Sequence, residues 1–361
     1  MKVFLVHTGF FWSSIDISRG VERALKRLGC DVVSFDPKDG LRLFRSLTEQ
    51  AAANGLRSAN DMTLRLVCER IPLRVIEEKP DLFLVIHGGR LPSNVVRAVR
   101  ELGVPTAVWL LDDPHEIDLS SIYAREYDFV FTDESCAVEA HRKAGARHVR
   151  HIPLGCSPDM QHPREVAAKY RSDICIVGSG FRERVELLTE ASPALLKFNM
   201  KIIGPWPLPE DSPLAPVLVN KVVSAEEAAR YCAGAKIVLN PHRLPGGSEM
   251  ASNLWRVPAA SPNPRLFEAA ACGAFVLNDD KRADVGKYFE IGREMDVFAN
   301  AGELAEKAAW WLGHEEARAA GAASASLRAR NLHSLDVRMA DLLAETGFPA
   351  PAARKEVALC L

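Results

Sequence analysis

No apolar run in this chain of 361 residues approaches the length of about 18 that a membrane-spanning helix needs. The N-terminus starts apolar, at Lys2-Val3-Phe4-Leu5-Val6. His7, Thr8, Ser13, Ser14 and Asp16 then cut short any signal-like core, and no small-residue cleavage site follows. The segment reads as the first strand of a mature cytoplasmic protein. Cysteine pairs are also missing. Cys30, Cys68, Cys136, Cys156, Cys175, Cys232, Cys272 and Cys360 are scattered without a C-x-x-C, so neither a zinc cluster nor a disulfide framework is expected. Most fall in or beside apolar segments, where a reduced thiol packs as a small hydrophobe. An excess of one charge is lacking too. Lys plus Arg is 45 and Asp plus Glu is 47, so the formal net charge of −2 gives no global field to hold nucleic acid. No period of about 20–50 residues marks a solenoid. No glycine-rich dinucleotide fingerprint follows the first strand, since His7-Thr8-Gly9-Phe10-Phe11 contains a single glycine, and a NAD-dependent oxidoreductase fits poorly.

What is present is an ordinary globular composition, 48% hydrophobic and 25% charged, long enough for two domains. Short, nearly all-apolar runs alternate with helical periodicity, the pattern of parallel sheets covered on both faces. Strands are expected at 2–7, 31–35, 81–86, 106–111, 128–132 and 148–153, with a largely helical stretch over 41–79. Gly155, Pro158 and Pro163 then break the rhythm. Strands resume at 173–177, 200–203, 218–223, 236–239 and 274–277, with helices at 184–195, 225–233, 264–272, 283–289, 303–330 and about 335–346. The reading is α/β: two doubly wound Rossmann-like domains facing across a cleft. A first domain would span 1–156, a linker 157–171, a second domain 172–332, and 333–361 a helix crossing back with a tail. The loop 241–263, with Gly246, Gly247, Glu249 and Trp255, is a lid, an acceptor contact or an insertion.

In open α/β sheets ligands sit beyond the carboxyl ends of the strands, and chemically active residues recur there. Gly178-Ser179-Gly180-Phe181-Arg182-Glu183-Arg184 follows one strand and opens a helix. Its glycines would let amides approach an anion, and Arg182 or Arg184 would clamp a diphosphate; a tight turn with solvated arginines is the alternative. It is not a P-loop, because no G-K-[ST] closes it. Asn263 and Pro264 open a helix that Gly273 ends, and Arg265 and Glu268 share a face near its start. An ionised Glu there can accept both hydroxyls of a ribose, or simply form a surface ion pair with Arg265. Asp112-Asp113-Pro114 ends a third strand, with His115 and Glu116 after it. Asp112 and Asp113 would point opposite ways, so a shared metal is not expected. His7 and His87 end two further strands and are candidate bases or hydrogen-bonded structural residues. Gly204, Trp206 and Asn240 line other strand ends.

These blocks carry a resemblance. Arg265-Leu266-Phe267-Glu268 through Gly273, Leu277 and Asp279 resembles the R-x-F-E-x-x-A-x-G-x-x-x-L-x-D block of CgeB-like glycosyltransferases, relatives of the group 1 glycosyltransferases with a GT-B fold. In order, Trp109…Asp112-Asp113-Pro114, Asp128-Phe129-Val130-Phe131-Thr132-Asp133, Ile152-Pro153-Leu154-Gly155-Cys156-Ser157-Pro158, Val238-Leu239-Asn240-Pro241 and Phe289-Glu290-Ile291-Gly292-Arg293-Glu294 are similar to further family segments. The resemblance covers roughly 80–340. The earlier of the two glutamates found in many group 1 relatives is replaced by Ala260, which leaves retaining or inverting chemistry open.

The resemblance implies a transferase of hexosyl type, acting without a metal or a permanently bound cofactor. The donor would be a UDP-, GDP- or dTDP-sugar on the second domain. Gly178, Ser179, Gly180, Arg182, Arg184, Gly204, Trp206, Asn240, Arg265 and Glu268 would form its site, with Glu268 on the ribose. The acceptor would be a hydroxyl of a glycan, lipid-linked glycan, protein or small molecule on the first domain. Asp112 is the first choice of base, followed by His7 and His87. Competing readings on the same scaffold are a nucleotide-sugar epimerase or hydrolase, and a non-catalytic nucleotide-sugar-binding protein.

Overall fold

The computed structural model describes residues 1–9, 12–43, 65–89, 91–244 and 252–348. It divides into two compact units. One comprises Met1–Ile152, Ser252–Pro258 and the stretch from Met339; the other comprises Pro153–Ala251 and Ala259–Arg338. The part of the expected helical stretch that falls at 44–64, and Phe10, Phe11, Gly246, Gly247 and Glu249, lie outside the described residues.

The first unit is built on β1 (Lys2–Val6), β2 (Asp31–Phe35), β3 (Leu82–Ile86), β4 (Thr106–Leu110), β5 (Phe129–Thr132) and β6 (His148–His151). They pair in parallel in the order β2-β1-β3-β4-β5-β6. Between them run α1 (Trp12–Arg27), α2 (Pro37–Leu43), α3 (Ile71–Glu78), α4 (Ser93–Glu101), α5 (Ile117–Ala124) and α6 (Ala137–Lys143). β3 and β4 are buried at every position, as central strands covered on both faces must be. Phe4, Phe83, Val85, Val95, Val99 and Val108 form the core on one face. At the far end Val257 packs with Ile117 of α5 and with Ala137 and Ala140 of α6. Ser252–Pro258 therefore belongs to this unit, although in sequence it falls among the elements of the other.

The second unit carries β7 (Ser172–Val177), β8 (Met200–Ile203), β9 (Leu218–Val219), β10 (Ala235–Asn240), β11 (Phe275–Asp279) and β12 (Asp296–Phe298). Their parallel order is β12-β11-β10-β7-β8-β9. Its helices are α7 (Arg182–Leu195), α8 (Ala225–Ala233), α9 (Pro264–Ala271), α10 (Ala301–Gly313) and α11 (Glu315–Leu332), followed by α12 (Leu335–Glu345). Strand order reverses between β7 and β10 here, and between β1 and β3 in the first sheet. These are the switch points where an open sheet leaves a crevice.

Several expected bounds change. The strand at 218–223 is only Leu218–Val219, and 283–289 holds a single 3-10 turn, Val285–Lys287. The helix expected at 303–330 is two helices, broken at His314. Arg318 staples the break by donating to the Trp311 and Leu312 carbonyls at 3.0 and 3.4 Å. Both β12 and α5 lack a sequence signature. The first is a three-residue edge; the second has apolar residues on every side, so no period of 3.6 stands out.

Candidate functional site

α9 forms as its residues dictate. The Asn263 side chain accepts the Leu266 amide at 3.4 Å, and Pro264 occupies the first turn. Leu266, Phe267 and Ala269–Ala271 are buried, which leaves Arg265 and Glu268 on the remaining face. Arg265 Nη1 lies 2.9 Å from Glu268 Oε2, with the side chains 25% and 16% exposed. Burial works against the Arg265 charge, but Glu268, Cys232 and Cys272 together outweigh it and raise the guanidinium pKa. Phe267 anchors the opposite face against Tyr288, Phe289 and His333, with the Arg338 guanidinium 5.8 Å from its ring. Glu268 is thus a mostly buried carboxylate on a rigid helix, accompanied by one cation.

At the β7–β10 switch point, Arg184 bridges the two strand ends. Its Nε donates to the Pro241 carbonyl at 2.8 Å and its Nη1 to the Ser179 carbonyl at 3.0 Å. Burial lowers its pKa to about 10, a shift that Arg265 and Arg243 add to while Glu183 and Asp279 oppose it. The Arg184 and Arg243 guanidiniums stand 5.0 and 5.5 Å from the Phe181 ring. Arg282 Nη2 donates to the Arg243 carbonyl at 2.6 Å. Four arginines therefore gather around the ends of β7, β10 and β11. His242 locks the arrangement. Its amide and Nδ1 reach the two Asp279 oxygens at 2.6 and 2.7 Å, and its Nε2 accepts the Asn263 amide at 3.2 Å. Burial keeps this imidazole neutral, lowering its pKa against the pull of Asp279.

The glycine turn departs from expectation. The Gly178 and Gly180 amides donate to the Ile203 and Pro205 carbonyls at 2.9 and 3.0 Å, so they are not available to a phosphate. Gly204 (φ +132°) lies against the Gly178 carbonyl, and a Cβ there would run into it. Trp206 is buried over Gly180, with its indole N–H donating to the Gly178 carbonyl at 2.8 Å. Gly178, Gly180, Gly204 and Trp206 form a packed joint between β7 and β8. Asn240 is likewise used internally, its amide donating to Asn278 Oδ1 at 2.7 Å. Arg182 is 85% exposed and paired with Glu186 at 2.7 Å, so of the two candidate arginines Arg184 alone bridges the strand ends.

In the first unit the adjacent aspartates do diverge. Asp113 turns inward and accepts from Ser120 Oγ, Thr132 Oγ1 and His141 Nε2 at 2.8, 2.8 and 2.7 Å. Burial alone would raise its pKa, but His141, Thr132 and Ser120 bring it below the usual range. Asp112 groups instead with His87 and Glu116: one ligand-type atom from each lies within 4.8 Å of the others. Among the described residues this is the one such His, Cys, Asp and Glu cluster. His87 holds a left-handed conformation (φ +74°). The Tyr123 hydroxyl donates to its carbonyl at 2.9 Å, and the Gly89 amide to its Nδ1 at 3.3 Å. Such backbone strain persists where its surroundings over-determine it. His7 does not join this group. Its Nδ1 lies 2.5 Å from Ser18 Oγ and its Nε2 3.3 Å from Glu22, which commits both nitrogens within its own unit. Glu116 and Arg243 fall in strand-end segments that the sequence already marks, whereas Arg282 is the residue that reading the sequence missed. It lies three residues past the end of β11, with no motif to single it out.

Two parallel six-stranded α/β units of this kind define the GT-B class of glycosyltransferases. The chain belongs, within that class, to the CgeB-like glycosyltransferase family. It is 31% identical over 251 residues to spore protein CgeB of Bacillus subtilis (strain 168), covering 68% of this chain and 76% of that protein. Residues 182–344 match the family described as glycosyl transferase-like. In fold it is similar to a sucrose-phosphate synthase from Thermosynechococcus elongatus, with TM-score 0.61 and 14% identity over 96% of this chain and 98% of that one. It is also similar to Anabaena HepE in complex with UDP-glucose, with TM-score 0.59 and 12% identity over 96% and 99%. A trehalose-phosphate synthase (UDP-forming) from Burkholderia xenovorans, in complex with glucose-6-phosphate, matches with TM-score 0.61 and 10% identity over 96% and 100%.

Proposed function

We propose that the protein moves a sugar from a nucleotide diphosphate sugar to a hydroxyl acceptor without a divalent metal. The carrying observation is that one unit holds both the carboxylate Glu268, paired with Arg265 on α9, and Arg184 at the β7–β10 switch point. Glu268 accepts the ribose hydroxyls. Arg184, aided by Arg243 and Arg265, neutralises the charge that grows on the departing diphosphate, the role a metal plays elsewhere. Arg182, solvated and engaged with Glu186, stands outside this role. Asp112 takes the acceptor proton, with His87 and Glu116 fixing its position and field. The neighbours whose descriptions name UDP, UDP-glucose and a UDP-forming reaction put uridine first among the donors to try.

Calorimetric titration with UDP, GDP, dTDP and CDP tests the reading. At least one nucleotide should bind, and Glu268→Ala should weaken it by about 1–3 kcal/mol, the worth of a charged hydrogen bond. Unchanged affinity for every nucleotide in the variant removes the ribose role. Sugar release from the donor without any acceptor dependence would instead favour the hydrolase reading on the same scaffold.

A further inference from the structure

The segment Ser252–Pro258 is fastened with unusual care for a surface loop. One carboxylate, Asp118 of α5, accepts the Ser252 hydroxyl at 2.8 Å, the Leu254 amide at 2.8 Å and the Trp255 amide at 3.4 Å. The Ser252 amide donates to the His115 carbonyl, and the Asp118 amide to the Ser252 carbonyl, at 2.6 and 3.2 Å. Asn253 closes the turn on Val257 through two bonds, at 2.8 and 2.9 Å. The result of this order is to hold apolar side chains in water: Leu254 is 86% exposed and Trp255 46%. The helix that supplies the fastening does the same, since Leu119 and Ile122 are each 56% exposed. Asp118, Ile122 and Arg125 recur at helical spacing along one stripe of α5, and Leu119 flanks it. Arg256, next to Trp255 in sequence, and Arg125, which follows α5, are exposed as well.

A stable monomer rarely pins an aromatic and three aliphatic side chains outward together. Water gains nothing from it, and the surface gains a demixing tendency. The combination of Trp, Leu and Ile with flanking arginines matches a lipid–water interface, where the ring sits at headgroup depth and the guanidiniums meet phosphates. We propose that this face of the first unit, Leu119, Ile122, Leu254 and Trp255 with Arg125 and Arg256, docks on an anionic bilayer surface. No described helix is long and apolar enough to cross a membrane, so the attachment is peripheral. Two arginines alone hold weakly, and the apolar side chains alone would not choose a headgroup. Together they give reversible, salt-sensitive binding.

The test is co-sedimentation of the full chain with vesicles of phosphatidylcholine containing about 30% phosphatidylglycerol, against vesicles of phosphatidylcholine alone. Binding to the anionic vesicles is expected, weakened by salt, with a blue shift of tryptophan emission. Leu254→Ser/Trp255→Ser should lower the partition coefficient at least tenfold and remove the blue shift. Arg125→Glu/Arg256→Glu should lower it to a similar extent. Leu119→Ser/Ile122→Ser serves as a second apolar variant should the first fail to fold by its melting curve. Leu327→Ser, which removes an exposed leucine from α11 of the other unit, should change nothing. The proposal is overturned by a wild-type chain that ignores anionic vesicles, by binding that survives both apolar variants, or by a concentration-dependent dimer that those variants dissolve.

Discussion

Arg182 and Arg184 sit two positions apart at the start of one helix and spend their charge differently. Arg182 meets Glu186 in solvent, where water and salt screen the pair. Arg184 is drawn over the strand ends by two carbonyls, and its charge survives burial with a pKa of about 10. Arg184→Ala should therefore cost tenfold or more in nucleotide affinity, while Arg182→Ala should leave both affinity and melting temperature within error. His333 gives a second prediction at this scale. Its ring lies among Phe267, Tyr288 and Phe289, with Nε2 on the Tyr288 carbonyl at 3.1 Å and Nδ1 facing Arg338 at 3.2 Å. Burial, reinforced by Arg338, lowers its pKa to about 4. Below the unfolded value of about 6.5 the unfolded chain takes up the proton first. Stability is full above pH 6.5 and falls as pH drops towards 4, with His333 contributing about 2–3 kcal/mol. His7 and His242, also lowered by burial, act in the same direction. Urea midpoints measured across that range should fall less steeply for His333→Gln than for the wild type.

Among the elements, α9 was fully readable. Asn263, Pro264 and Gly273 announce its ends, and its fully buried apolar residues leave Arg265 and Glu268 together on the remaining, partly covered face. The glycine turn after β7 was readable as a turn, but not the engagement of its Gly178 and Gly180 amides. Sequence shows where amides can come close, not whether a neighbouring strand has already claimed them, and the Ile203 and Pro205 carbonyls have. The joint's tightness can be measured. Gly204→Ala sets a Cβ against the Gly178 carbonyl at a positive φ, and should cost at least about 2 kcal/mol in denaturant unfolding. If Gly204 were merely facing a ligand, the same change would alter affinity and spare stability. Asp112 and Asp113 diverge in the turn that follows β4. Of the partners that separate their roles, Glu116 follows Asp112 in the same loop, whereas His141 and His87 come from distant elements and only tertiary structure brings them in.

For the molecule as a whole, two sheets of parallel strands were legible because central strands of this kind are continuously apolar. Edges were not: β9 and β12 are too short to carry a pattern. With guanidiniums supplying the positive charge around the β7–β10 switch point, donor turnover should persist in excess EDTA. A loss restored by a divalent cation would reassign that charge. The chain path has a further practical meaning. Because Ser252–Pro258 and the stretch from Met339 belong with Met1–Ile152, a gene fragment ending at 152 does not encode the first unit. It would leave Ile117, Ala137 and Ala140 without Val257, and Asp118 without its amides. Chimeras that shuffle halves between relatives at one crossover will inherit mismatched sutures, unless the short excursion at 252–258 travels with the half it is sewn into.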